Sequence, residues 1–204
     1  MANRISQKDN QSKYMKNRLD RKQILEEAAR IADEKGAKAL TIKSLAERLG
    51  IKSPSVYKHF SGGLDEINTE LMLYGWNLME TEVVGAAVGK SKDDAVISMC
   101  RAYRDFTLGH KGLYEIMQWY NMTQSERHLK ATEGLVGVMM KVLDGYGLNT
   151  EQKVHIVRMV RSFLHGFASI EEHGGYGNSY STDDTFDFAV RTIIRGISDI
   201  KKKG

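Results

Sequence analysis

The chain has 204 residues, a net charge of +4 and 41% hydrophobic against 27% charged residues, a balance that excludes wholesale disorder and fibrous architecture. No apolar run approaches the roughly 18–20 residues of a membrane helix, and the first residues carry no apolar leader, which predicts a cytoplasmic protein without membrane contact. A single cysteine, Cys100, excludes a disulfide framework and a Cys-rich zinc site, and a single proline, Pro54, fits a mostly helical chain.

The polar stretch 1–17 reads as a basic arm, with Arg4, Lys8, Lys13 and Lys16. From Arg18, apolar residues recur at helical spacing through Ile24, Leu25, Ala28, Ala29, Ile31 and Ala32, and Gly36 ends this helix. Thr41 caps a second helix through Leu49, which Gly50 ends. Ser53 caps a third, with Pro54 in its first turn, running to about Phe60. Longer helices are predicted over Leu64–Val88, from Asp93 or Asp94 to Leu108, over Leu113–Tyr120, and from a Thr123 cap to about Tyr146. Thr150 caps a helix to about His173, residues 174–182 form a loop, and Asp183 opens the last helix. The expected fold class is all-α, with about nine helices and no strand. The expected units are an arm (1–17), a helix-turn-helix domain (18–63) and a larger helical domain (64–204).

Charge follows the same division. Residues 1–60 hold 14 Lys/Arg against 7 Asp/Glu, whereas 61–204 hold 16 against 19, so a polyanion is expected at the head alone.

Residues 40–60, LTIKSLAERLGIKSPSVYKHF, carry the functional signal. Two short helices across a Gly-containing turn make a helix-turn-helix. Leu45, Ala46, Leu49, Ile51, Val56, Tyr57 and Phe60 form its apolar side. Ser53, Pro54, Ser55 and Lys58 are left on the N-terminal face of the second helix, the face that enters a major groove. Small hydroxyls let the backbone approach base edges. Thr41 at a helix start can hold a phosphate, and Tyr57, Lys58 and His59 can supply further phosphate contacts.

These residues resemble the TetR family of bacterial transcriptional regulators. The likeness runs over Arg21–Leu25, Ala28-Ala29, Gly36, Leu40-Thr41, Leu45-Ala46, Leu49-Gly50-Ile51, Ser53, Val56-Tyr57 and His59-Phe60. It implies a DNA contact at Lys43 and a phosphate site at Thr41 or Ile42, where the apolar Ile42 weakens a hydroxyl contact. It places Ser53, Pro54, Ser55, Tyr57, Lys58 and His59 on the recognition helix. One departure is plain. Family members carry a Lys near the start of the fourth helix, where this chain has Ser61-Gly62-Gly63-Leu64-Asp65, leaving backbone N–H groups as the expected phosphate donors. In the body, RAYRDFTLGHKGLYEIM (101–117) and RSFLHGFASIEEHGGYG (161–177) resemble a subgroup of the family.

The helix at 151–173 has two apolar stripes, Ile156, Val160, Phe163, Phe167 and Ile170, and Val157, Leu164 and Ala168. Burial on two sides is therefore expected. The resemblance implies that this helix and the last one build an intersubunit four-helix bundle, with Arg161, Leu164, His165, Ala168, Phe188, Thr192 and Arg195 at the seam. A two-fold homodimer would set two heads about one DNA turn apart on a palindromic double-stranded operator. Tyr103, Phe106, His110, Tyr114, Met117, Trp119, Tyr120, Met139 and His155 are the candidates for an effector pocket.

Enzyme readings fare poorly. Gly85–Ser91 has three residues between its glycines where a P-loop needs four, and a helix precedes it. Ser162, His165, Ser169 and His173 lack a nucleophile elbow and a third orienting group. The six His show no metal-ligand spacing, and Cys100 reads as a small buried hydrophobe. No metal, no cofactor and no catalytic residue is expected. The functional expectation is a ligand-responsive repressor, released by an unidentified small molecule. The alternative is a helical small-molecule-binding protein or enzyme without an operator.

Overall fold

A computed structural model describes residues 20–120, 126–177 and 179–200, with the Tyr120 side chain excepted. The arm at 1–17, the Thr123 cap and the tail at 201–204 lie outside the described residues. Within them the chain forms nine α-helices and no strand. In chain order these are α1 (Arg21–Lys35), α2 (Ile42–Leu49), α3 (Ser53–Tyr57), α4 (Gly63–Ala87) and α5 (Lys92–Gly109). Then come α6 (Lys111–Tyr120), α7 (Glu126–Asp144), α8 (Thr150–Glu172) and α9 (Thr182–Ile200). A 3-10 turn at Ala37–Ala39 links α1 to α2.

Local chemistry sets the helix ends, in places one residue away from the expected cap. Asp20 and Gln23 exchange side-chain and backbone bonds, so α1 starts at Arg21 rather than Arg18. Lys52, not Ser53, is the residue before α3. Its backbone is extended, and its carbonyl already accepts the Ser55 N–H at 2.8 Å. The N–H groups of His59 and Phe60 both turn back to the Val56 carbonyl, which closes α3 at Tyr57. Asn149, not Thr150, caps α8, because its amide reaches the Gln152 N–H at 2.9 Å while Gln152 returns the bond.

α4 is the axis of the molecule and packs against α1, α5, α6 and α7. Ile67, Leu71, Met72, Trp76, Met79 and Val83 are its buried residues at helical spacing. Fully burying such a side chain stabilises by about 1.5–3 kcal/mol, so this stripe alone fixes the helix in place. Phe106, Leu113, Ile116 and Met117 close the core from α5 and α6. Gly112 lies inside α6, which begins two residues before the expected start at Leu113. A Cβ there would sit 1.9 Å from the Ala32 carbonyl oxygen, so glycine is what lets α6 rest on the backbone of α1. No helix among the described residues is long and apolar enough to cross a membrane.

Candidate nucleic-acid interface and effector cavity

The reading head is α1–α3. Thr41 Oγ1 accepts the Ser44 N–H at 3.0 Å, and Ser44 Oγ accepts the Thr41 N–H at 2.9 Å. The Thr41 hydroxyl therefore holds the start of α2 as well as facing solvent. Gly50 adopts the left-handed conformation that turns α2 into α3 (φ 65°), and Ile51 N–H closes the turn on the Ala46 carbonyl. Leu45, Ala46, Val56 and Phe60 are buried beneath it.

This packing orients the DNA-facing candidates. Lys43 is 84% exposed, with Glu47 4.0 Å away. Pro54, Tyr57 and Lys58 are exposed, Ser53, Ser55 and His59 are half-buried, and Ile42 is half-buried against the core. The Tyr57 ring lies against Gly63 at the start of α4. Lys52, which the sequence reading passed over, is exposed at the head of α3. Its position immediately before Ser53 was the available signal.

Arg21 fastens the head to α4. Its guanidinium stacks 4.1 Å over Phe60, reaches Glu66 at 2.9 Å and donates to the His59 carbonyl. Glu66 Oε2 in turn accepts the Gly62 N–H at 2.8 Å, and Gly63 N–H bonds the Phe60 carbonyl. The backbone donors of Gly62 and Gly63, expected for a phosphate, are thus already engaged. The Gly62 bond, then Arg21, holds the Glu66 carboxyl below its ordinary pKa.

Head and body meet at Asp33. Its carboxylate accepts the Leu113 N–H at 2.8 Å and lies 2.9 Å from His110 Nδ1.

The body holds an apolar cavity of about 110 Å³. Its walls are Trp76 and Val83 of α4 and Met99, Cys100 and Tyr103 of α5. Thr132, Leu135, Val136 and Met139 of α7 and Val157, Val160, Arg161 and Leu164 of α8 complete it. Burial pushes the Cys100 thiol up to about 12.

Two of the nine effector-pocket candidates, Tyr103 and Met139, line this cavity. Phe106 and Met117 are buried in the core, and His110 sits at the α1–α6 junction. Tyr114 and Trp119 line a separate, more polar groove with His165. His155 is exposed, 3.7 Å from Glu151. Hydroxyl-to-hydroxyl contact of Tyr103 and Tyr114 at 2.8 Å, then Tyr114 to His165 Nδ1 at 2.8 Å, connects cavity and groove.

Of the seam candidates, Leu164 and Ala168 are buried within this chain, Arg161 borders the cavity, and His165, Thr192 and Arg195 are exposed. Phe188 is 71% exposed.

Comparison with known proteins agrees with this geometry. Residues 24–62 match the family model for bacterial regulatory proteins of the tetR family, and residues 96–193 match the tetracyclin repressor-like C-terminal domain. The HTH-type transcriptional regulator Rv0681 of Mycobacterium tuberculosis is 30% identical over 181 residues, 88% of this chain and 82% of that one. The HTH-type transcriptional regulator YobS of Bacillus subtilis is 27% identical over 180 residues, 88% of this chain and 93% of that one. Apo ActR from Streptomyces coelicolor superposes with a TM-score of 0.67 at 22% identity, covering 89% and 95% of the two chains. A TetR variant from Acinetobacter baumannii, solved with minocycline, gives 0.68 at 19%, covering 90% and 98%. With helix-turn-helix, helical body and sequence matches in agreement, the chain belongs to the TetR family of bacterial transcriptional regulators, which are DNA-binding proteins and not enzymes.

Proposed function

We propose that the protein is a homodimeric cytoplasmic repressor, released from a palindromic operator when a small molecule enters the cavity between α4, α5, α7 and α8. The observation that carries the reading is the exposed cationic rim of the helix-turn-helix. Lys43 is exposed on α2, Lys52 and Lys58 are exposed on either side of Ser53-Pro54-Ser55 in the chain, and Lys52 and Lys58 pair with no carboxylate among the described residues. Thr41, Ile42, Tyr57 and His59 complete the proposed DNA face.

The dimer seam is proposed on α8 and α9, with Phe188, Thr192, Arg195 and His165 on its uncovered side. Ligand in the cavity would move α4, the helix shared by cavity and head, and so change the spacing of the two heads. A coupling free energy of about 1–3 kcal/mol is the usual scale of such a device.

The test is selection of bound sequences from a genomic fragment pool by the purified protein, repeated with Lys43→Ala and Tyr57→Ala. An enriched palindrome, weakened in both variants, is expected. No enrichment at low salt would overturn the operator reading and leave a small-molecule-binding protein.

A further inference from the structure

The cavity described above has a chemical bias that the family fold does not dictate. Arg161 is its one charged lining residue, and no carboxylate lines it. Among the described residues Arg161 makes no ion pair and no hydrogen bond. Its guanidinium lies 5.6 Å from the ring centre of Trp76.

Trp76 is 3% exposed, and its indole N–H has no acceptor among the described residues. A buried donor left unmatched costs on the order of 1–3 kcal/mol, and this nitrogen has almost no accessible surface, so it is not a contact the cavity offers. Arg101 pairs with Asp187, Arg104 with Glu171, and Arg127 with Glu70. Arg161, itself solvent-exposed, is the one arginine among the lining residues of the cavity. Burial, and then the Arg161 charge, pull His128 below its ordinary pKa.

We propose that this cavity takes a small organic anion with an apolar body, its carboxylate-class head at Arg161. The proposal rests on the effector reading of the same cavity and names its ligand class. The apolar walls hold the body. Volume sets its size: about 110 Å³ is somewhat less than the ~150 Å³ cavity that takes a benzene ring, so a single ring or short branched chain is the upper limit without wall movement. Cations are disfavoured, because nothing in the lining balances a positive charge.

Titration calorimetry of the full chain tests this with phenylacetate, phenylacetamide and phenethylamine, which share a body and differ in head charge. Phenylacetate should bind at least tenfold more tightly than the amide, and the amine should give no heat. Arg161→Gln should bring acid and amide within about twofold, while Arg161→Lys keeps a preference for the acid. Val136→Trp, at an exposed lining position, should abolish binding of both the acid and the amide. Equal binding of acid and amide, absence of acid binding, or an acid preference unchanged in Arg161→Gln would overturn the proposal. Arg161→Gln that alters only self-association would assign this residue to the dimer seam and also overturn it. Operator selection on ligand-free protein separates the two readings. A palindrome without acid preference sinks the ligand class alone, and acid preference without a palindrome sinks the repressor reading alone.

Discussion

Asp33 of α1 caps α6: its carboxylate accepts the Leu113 N–H at 2.8 Å, joining residues 80 positions apart across the junction of reading head and body. The second oxygen lies 2.9 Å from His110 Nδ1, so one side chain ties both the last residue before α6 and its first turn. Asp33→Ala should cost about 0.5–2 kcal/mol, the usual worth of a cap, seen as a lower urea midpoint. Asp33→Asn keeps an acceptor and should recover most of that loss. An unchanged midpoint in Asp33→Ala would show that the contact is idle.

Gly112 and Gly137 make an opposed pair. An alanine at 112 meets the Ala32 carbonyl at 1.9 Å, whereas one at 137, within α7, meets nothing within 4 Å. Gly112→Ala should destabilise by about 1–3 kcal/mol, because backbone must move. Gly137→Ala should stabilise by about 0.4–1 kcal/mol through the unfolded chain. Thermal unfolding of both variants checks the signs.

Lys43 and Tyr57 should separate in salt titrations of operator binding. Lys43→Ala removes a cation and should lower the slope of log affinity against log salt by about 1. Tyr57→Ala should weaken binding with the slope unchanged, since no Lys or Arg is removed. Equal slopes for Lys43→Ala and the parent would place Lys43 off the phosphates.

Glu66 predicts a pH response. The Gly62 N–H and Arg21 favour its charged form, so its pKa is lower in the folded chain than in the unfolded one. A lowered pKa contributes stability that is full above the unfolded value and lost as pH falls through the folded one. Urea midpoints should therefore fall below about pH 4, near the ordinary glutamate value. Glu66→Gln should show a shallower fall across the same window, and identical profiles would remove Glu66 from the account.

Cys100 should be inert in the folded state. Its thiol is buried and pushed up to about 12, so little thiolate exists at neutral pH. Reaction with a disulfide reagent should be slow in buffer and immediate in urea. Because Cys100 lines the cavity, phenylacetate should slow the native rate further.

The head was legible in the sequence because its determinants are local. Thr41 and Ser44 are three residues apart, Gly50 makes its own turn, and Val56 and Phe60 mark one face. Where a neighbour competed for the same role the reading slipped by one residue, as at Ser53 against Lys52 and Thr150 against Asn149. The cavity was not legible, because it needs four helices. Trp76 and Arg161 stand 85 positions apart, and neither has a sequence neighbour that announces the other. Aromatic and Met content alone could not tell Tyr103, which lines the cavity, from Phe106, one turn on, which fills the core.

The bare backbone contact of Gly112 on Ala32 also limits how this head can be transplanted. Grafted onto the body of another regulator, α1 would meet whatever side chain stands at the equivalent of Gly112, and Asp33 would face an unmatched helix end. A working chimera therefore needs residues 110–113 carried along with the head, as a four-residue seat more than fifty residues downstream of the last recognition-helix residue.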